Sequence, residues 1–271
     1  MRLGISPVIR KEFPMPVMDD FWKFTEYLVS VSAEAIMPYW DQADLEVIEK
    51  QDDTPVTRAD RGAEAAMRKV INERYPEHGI IGEEYGEENS DAEYVWVLDP
   101  IDGTLSFTHH VPLFGTLVCL KHRGVPVLGA INQPVLNKCV IGDGEKTVLN
   151  GKKQVYCSTE PELSRATLLT TDPRAATKYH PKSKFSSLVD GVRTYRTWGD
   201  AFGYLAVATG GAEIMVDPIA NEWDFAGHIP IIRGAGGAIT DWYGNDPLGA
   251  DSVIAANPHL HGEVLKRLHD K

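Results

Sequence analysis

The stretch "VWVLDPIDGTLSF" (residues 95–107) decides how the chain is read. An apolar run of strand character ends in Asp99 and Asp102, three residues apart, with Pro100 between them and Gly103-Thr104 behind. Proline cannot extend a hydrogen-bonded ladder, so the chain is expected to bend after Asp99 and turn both carboxylates into one space. Gly103 permits close backbone approach, and Thr104 offers a hydroxyl at a helix start whose free N–H groups would suit a phosphate. A plain Asp-Pro turn with an Asp-Gly tail has the same composition, so these residues alone admit either a turn or a metal-binding pair.

Other acidic residues stand at comparable places. In "GIIGEE" (79–84), Glu83 leaves the end of an apolar strand, whereas the following "YGEENSDAE" reads as a solvated acidic loop. In "NEWDFAGHIP" (221–230), Asp224 opens a helix, where it serves either as an N-cap or as a ligand. In "TPVTRAD" (54–60), Thr57 and Asp60 lie at a loop-to-helix junction. They either cap the helix or form a hydroxyl–carboxylate pair that draws a proton from water. Carboxylate and carbonyl oxygens without a Cys/His cluster suit hard cations such as Mg²⁺, Mn²⁺ or Ca²⁺. Zinc is disfavoured, because His109-His110 and His259-x-His261 lack the i, i+4 spacing of a helical zinc pair. An aspartyl nucleophile of the Asp-x-Asp type is excluded, since the aspartates here are three apart.

Composition narrows the class. The chain has 271 residues, 43% hydrophobic, enough for one large domain or two intimate subdomains. No apolar run approaches the roughly 20 residues of a spanning helix. Residues 1–17 show no signal-peptide pattern and read as a leader before the first helix. Cys119, Cys139 and Cys157 are too few and too far apart for a disulfide framework, which points to a reducing, cytoplasmic setting. A net charge of −12 argues against nucleic acid or an anionic membrane as partner, and an anionic substrate would need bound cations.

Periodicity predicts helices over 18–39 and 60–75, then short strands over 79–84 and 94–100. From 114 to 157, β-runs separated by "HRG", "NQP", "GDGE" and "LNGK" predict an antiparallel meander. Strands and helices then alternate, with "WDFAGHIPIIRGAGG" read as one helix and "PHLHGEVLKRLHD" as the last. The order implies a layered, mixed α+β (α/β) sandwich of two fused halves, 18–157 and 158–271.

Together, "GEE" (82–84), "LDPIDGT" (98–104) and "EWDFAG" (222–227), with "DDTPVTRAD" upstream, resemble the inositol monophosphatase family from about residue 18 onward. These are metal-dependent, lithium-sensitive phosphomonoesterases related to fructose-1,6-bisphosphatase. The resemblance implies a five-layer α-β-α-β-α sandwich and, in many members, a homodimer. It implies that Glu83, Asp99, Asp102, Asp224 and the Ile101 carbonyl hold roughly two or three Mg²⁺ ions, with Mn²⁺ as a substitute. Asp60 and Thr104, with Glu83, would activate the attacking water, and the amides of Gly103 and Thr104 would contact phosphate. Residues 195–224 are similar to the histidinol-phosphate phosphatase branch, with "GD" where inositol phosphatases usually show "GS". Asp200 and Asp217 would then face the cationic amine and imidazole of a substrate, with Arg196 as a further polar contact. Leu105 departs from a frequent lysine, and Glu222 and Gly227 occupy variable positions. The expected reaction is hydrolysis of L-histidinol phosphate, a small phosphorylated metabolite. The alternatives within the family are inositol 1-phosphate, fructose 1,6-bisphosphate and 3′-phosphoadenosine 5′-phosphate.

Overall fold

In the computed structural model, residues 15–40, 42, 48–49, 55–56 and 58–269 are described; Thr57 lies outside them. The first predicted helix is α1 (Met15–Ile36), reaching back into the stretch read as a leader and followed by a 3₁₀ turn over Met37–Tyr39. Its apolar stripe buries Phe21, Phe24 and Leu28, while Val31 and Ala35 are only half-buried. Strands β1 (Ile48–Glu49) and β2 (Pro55–Val56) pair as a short ribbon, and α2 (Arg58–Arg74) follows.

The large sheet comprises β3 (Gly79–Gly82), β4 (Gly86–Glu88), β5 (Tyr94–Asp102), β6 (Gly115–His122), β7 (Val125–Gln133), β8 (Lys138–Gly142), β9 (Thr147–Leu149) and β10 (Lys153–Gln154). Its order is β10-β9-β8-β7-β6-β5-β3-β4, antiparallel except for the parallel pair β3–β5. The predicted meander is therefore present. The stretch read as an acidic loop instead contains β4, an exposed edge strand reached through Gly86 at φ 69°.

The second sheet contains β11 (Thr167–Leu169), β12 (Thr194–Arg196), β13 (Ile214–Asp217), β14 (Ala238–Thr240) and β15 (Val253–Ala256), in the order β12-β11-β13-β15-β14. The helices of this region are α4 (Ala175–Tyr179), α5 (Phe185–Gly191), α6 (Asp200–Ala208), α7 (Glu222–Phe225), α8 (His228–Gly234) and α9 (His261–His269). Helix α3 (Thr104–Thr108) follows β5. Two predictions need correction. The single helix expected over 223–237 is two short ones, interrupted at Ala226–Gly227, and the helix α4 after Asp172-Pro173 was not anticipated.

The period-two alternation of the strands sorts the core into layers. Trp96, Leu98, Val118 and Leu120 pack under Phe24, Leu28, Met67 and Ile71 of α1 and α2. From the other face, Leu117, Ile131 and Val140 meet Tyr204 and Leu205 of α6 and Ile229, Ile231 and Ile232 of α8. Those helices rest in turn on Met215, Val253 and Ala255 of the second sheet. Ile214, Val216, Ile254 and Ala256 point away, against Phe185, Leu188, Val264 and Leu268 of α5 and α9. Helix, sheet, helix, sheet and helix thus stack in that order, the mixed α/β sandwich expected from the sequence.

The middle layer sits against the large sheet where both surfaces are bare backbone. A Cβ on Gly129 of β7 would overlap the backbone of Gly227, between α7 and α8. Gly129→Ala is expected to cost about 1–3 kcal/mol, because backbone rather than a flexible side chain must give way. The measurement is the urea midpoint, which should fall with the slope unchanged.

Candidate active site

Parallel pairing puts Gly82 opposite Leu98, so the next residues, Glu83 just past the end of β3 and Asp99 within β5, are neighbours. The Glu83 N–H donates to the Leu98 carbonyl at 3.2 Å, holding that residue against the sheet beyond the end of β3. Leu98 points to α1 and α2, so Asp99 faces the opposite layer, where it is 2% exposed. The strand does not end at Pro100, as the sequence suggested. It runs on to Asp102 through a β-bulge that sets Asp99 opposite Leu117 and Asp102 opposite Gly115. The Pro100 carbonyl is satisfied by the Thr116 hydroxyl at 2.9 Å, and Ile101 is buried beside Phe107 and Phe114. Gly103 follows at φ 90°, a left-handed conformation that suits glycine, and α3 begins at Thr104.

Asp60, in the first turn of α2, is 1% exposed. The Thr104 hydroxyl reaches its Oδ1 at 3.3 Å and the Ile101 carbonyl at 2.9 Å. One hydroxyl proton serves one acceptor at a time, so this oxygen is poised between a carboxylate and a backbone carbonyl.

The facing wall comes from the second sheet. Asp217 ends β13 and accepts hydrogen bonds from the Tyr204 hydroxyl at 2.8 Å and the Thr171 N–H at 3.3 Å. Asp200 opens α6 at φ 50°, left-handed for a residue with a side chain, a cost of about 1–3 kcal/mol. Its N–H donates to the Thr171 hydroxyl at 2.9 Å, and its carboxylate lies over Gly103, where a Cβ would crowd it. Gly199 holds the N-cap position before Asp200, and no side chain caps there. Asp224 takes the third position of a capping box on α7, its Oδ2 accepting the Asn221 N–H at 2.6 Å. It therefore caps from inside the helix and also borders the cavity.

Asp102, Asp200, Asp217 and Asp224 line one cavity of about 200 Å³ with Thr171 and Tyr204. A larger cavity of about 320 Å³, between α4, α5 and Tyr195, contains none of these groups. Arg196 stays outside the cavity on the sheet's edge strand; it is exposed, and its guanidinium bonds the Tyr195 carbonyl at 2.7 Å.

Burial and mutual repulsion dominate the electrostatics. Desolvation first, then Glu83, Asp102 and Asp224, hold the Asp99 carboxyl well above the usual range. Burial, then Asp200 and Asp224, do the same for Asp102. Asp200 and Asp224 are pushed up to about 7, each mainly by desolvation. Burial also raises Asp217, against the lowering effect of its Tyr204 hydrogen bond. Behind Tyr204 stacks His228, whose complete burial pushes it down to about 3 and keeps it neutral.

These groups fit a hard cation. Asp99 Oδ1 is buried without a hydrogen-bond partner, and the donors gathered around it are carboxylate oxygens. Among the described residues, no three His, Cys, Asp or Glu side chains already form a closed ligand cluster. Asp102 and Asp224 border the cavity, and Asp99 and Glu83 lie close enough to interact with them electrostatically. Glu83, Asp99, Asp102 and Asp224 are brought together, with Asp60, Ile101, Gly103 and Thr104 adjoining. The sequence reading missed Thr171 and Tyr204. Thr171 could have been noticed as a polar residue ending an apolar strand; Tyr204, inside a helical apolar pattern, offered no such signal.

The sequence pattern of the "Inositol monophosphatase family", whose members are phosphatases, matches residues 18–271. The chain belongs to that metal-dependent family. It is 38% identical to the chloroplastic bifunctional phosphatase IMPL2 of Arabidopsis thaliana, over 98% of this chain and 80% of that protein. It is 36% identical to a histidinol-phosphatase of Chlorobaculum parvum, over 85% and 89% of the two chains. The structure of an inositol monophosphatase from Zymomonas mobilis superposes with a TM-score of 0.81 at 36% identity, covering 92% and 97%. Among the described residues no helix is long and apolar enough to cross a membrane.

The raised carboxyl at Asp200 predicts a pH dependence. A carboxyl whose folded-state pKa exceeds its unfolded value stabilises the fold while protonated. That contribution is complete below the ordinary carboxylate range and is lost as pH rises towards 7. Metal-free Asp200→Asn is therefore expected to melt higher than the parent at pH 8 and nearly with it at pH 4, as read by calorimetry.

Proposed function

We propose that the chain is a Mg²⁺-dependent phosphomonoesterase acting on L-histidinol phosphate. The observation that carries the substrate is Asp200 and Asp217, two carboxylates on the wall facing Asp102 and held by Thr171 and Tyr204. A substrate with a cationic amine and imidazole would meet them with charge-assisted hydrogen bonds, whereas an uncharged inositol would leave two crowded acids without a counter-charge. The named histidinol-phosphatase relative supports the same reading.

Glu83, Asp99, Asp102, Asp224 and the Ile101 carbonyl would hold the divalent ions. Bound there, such ions supply positive charge for the phosphoryl and leaving oxygens in a protein of net charge −12. The chain's own contribution starts at Thr104. With its hydroxyl proton directed to Asp60, the Thr104 oxygen accepts a hydrogen bond from the attacking water and orients it. Asp60, buried and in contact, receives the proton by way of that hydroxyl. The backbone at Gly103 and Thr104, with no side chain at Gly103 to intervene, cradles the phosphate. Water attacks directly as the ester P–O bond breaks, and the departing alcohol oxygen takes a proton from solvent; the phosphorus is expected to invert, and retention at a chiral phosphate would contradict the scheme.

The decisive assay is phosphate release with Mg²⁺ from histidinol phosphate, inositol 1-phosphate, fructose 1,6-bisphosphate and 3′-phosphoadenosine 5′-phosphate. Histidinol phosphate is expected to show the highest kcat/KM, and preference for another would refute the substrate while leaving the phosphatase in place. Asp200→Asn is expected to lower kcat/KM for histidinol phosphate by about 10–100-fold, the value of one charge-assisted hydrogen bond, with little change for inositol 1-phosphate. Asp102→Asn is expected to remove about 100-fold or more from turnover of both substrates.

A further inference from the structure

Glu64 is a fully buried carboxylate one turn beyond Asp60 on α2. It accepts hydrogen bonds from the Glu84 N–H at 2.8 Å, the Tyr85 N–H at 3.2 Å and Arg68 Nε at 2.8 Å. The two amides belong to the residues directly after Glu83. Arg68 carries the connection on to the Gly86 carbonyl and, at 3.4 Å, to Glu88 of β4. On the near side of the turn, Gly82 is bare where a Cβ would overlap the Glu64 carboxylate.

Asp60, Glu64 and Arg68 recur at four-residue spacing, so they share one face of α2. That face meets Thr104 through Asp60, the turn after β3 through Glu64, and β4 through Arg68. A buried ion pair serving stability alone needs no contact with this turn and is often replaceable by apolar residues. Here the carboxylate is bonded to the turn directly after Glu83.

We propose that Glu64 is a positioning residue: by binding the amides of Glu84 and Tyr85 it fixes the Glu83 carboxylate for cation binding, in register with Asp60. This rests on the metal-site reading above. The test is calorimetric titration of Mn²⁺ into the full-length chain, stripped with chelator, without substrate. The proteins are the parent, Glu64→Gln, Glu83→Gln and the double variant. Glu64→Gln is expected to weaken Mn²⁺ binding by about 10–100-fold. In the Glu83→Gln background it should add nothing further, because it acts through Glu83. Amide exchange at Glu84 and Tyr85 should quicken in Glu64→Gln. Unchanged Mn²⁺ affinity, or losses that add in the double variant, would overturn the inference. If Glu64→Gln does not fold, Gly82→Ala displaces the same carboxylate from the turn side and is expected to give the same loss and the same non-additivity. A parent chain that binds no Mn²⁺ would remove the metal-site reading and this inference with it, whereas metal-binding differences without phosphatase activity would spare the inference.

Discussion

Carboxylates crowded into a poorly hydrated space are the constraint on which the rest of this structure depends. Asp99 is almost completely buried, has one oxygen without a partner, and faces Glu83, Asp102 and Asp224. Repulsion would drive such side chains apart, so each is held by a backbone contact of its own. The β3–β5 register fixes Glu83 beside Asp99, the bulge at Pro100 turns Asp102, and the capping box holds Asp224. The buried apolar layers make these placements rigid, because β5 and β6 are packed on both faces.

The cavity is assembled from both sheets. Asp102 comes from the large sheet, with Asp99 and Glu83 behind it, whereas Asp217 comes from β13 and Asp200 from the start of α6. Thr171, two residues beyond β11, links Asp200 and Asp217 through its hydroxyl and its backbone amide. The two walls meet where Asp200, in a left-handed conformation, lies over Gly103, so that a side chain on residue 103 would crowd it. In the proposed function, one wall handles the phosphate and the other the alcohol.

Much of this fold was legible in the sequence, for physical reasons. The apolar periodicity of α1 and α2, the meander and the later alternation of strands and helices each reflect faces that must be buried. Failures came where a local rule met a tertiary one. Pro100 did not end its strand, because Thr116 satisfies the backbone group that the bulge exposes. The segment after Glu83 looked like a solvated loop because β4 is an edge strand with no buried side chain. At the candidate site, strand-end carboxylates were visible because a charge after an apolar run is conspicuous. Glu64 and Tyr204 were not, since a helix pattern does not distinguish a buried polar residue from a half-exposed one. Arg196 shows the opposite failure: nearness in sequence to Asp200 does not bring a side chain into the cavity when its strand forms the sheet edge.

The left-handed backbone at Asp200 also limits the mutational routes open to this pocket. Residues branched at Cβ are strongly disfavoured at φ 50°, whereas glycine, asparagine and aspartate tolerate it. A search for altered selectivity at this position would therefore sample a narrow alphabet unless the start of α6 were rebuilt as well. Tyr204, within the same helix, is free of that backbone restriction but is fully buried, stacked on His228 and bonded to Asp217, so packing rather than backbone narrows its choices.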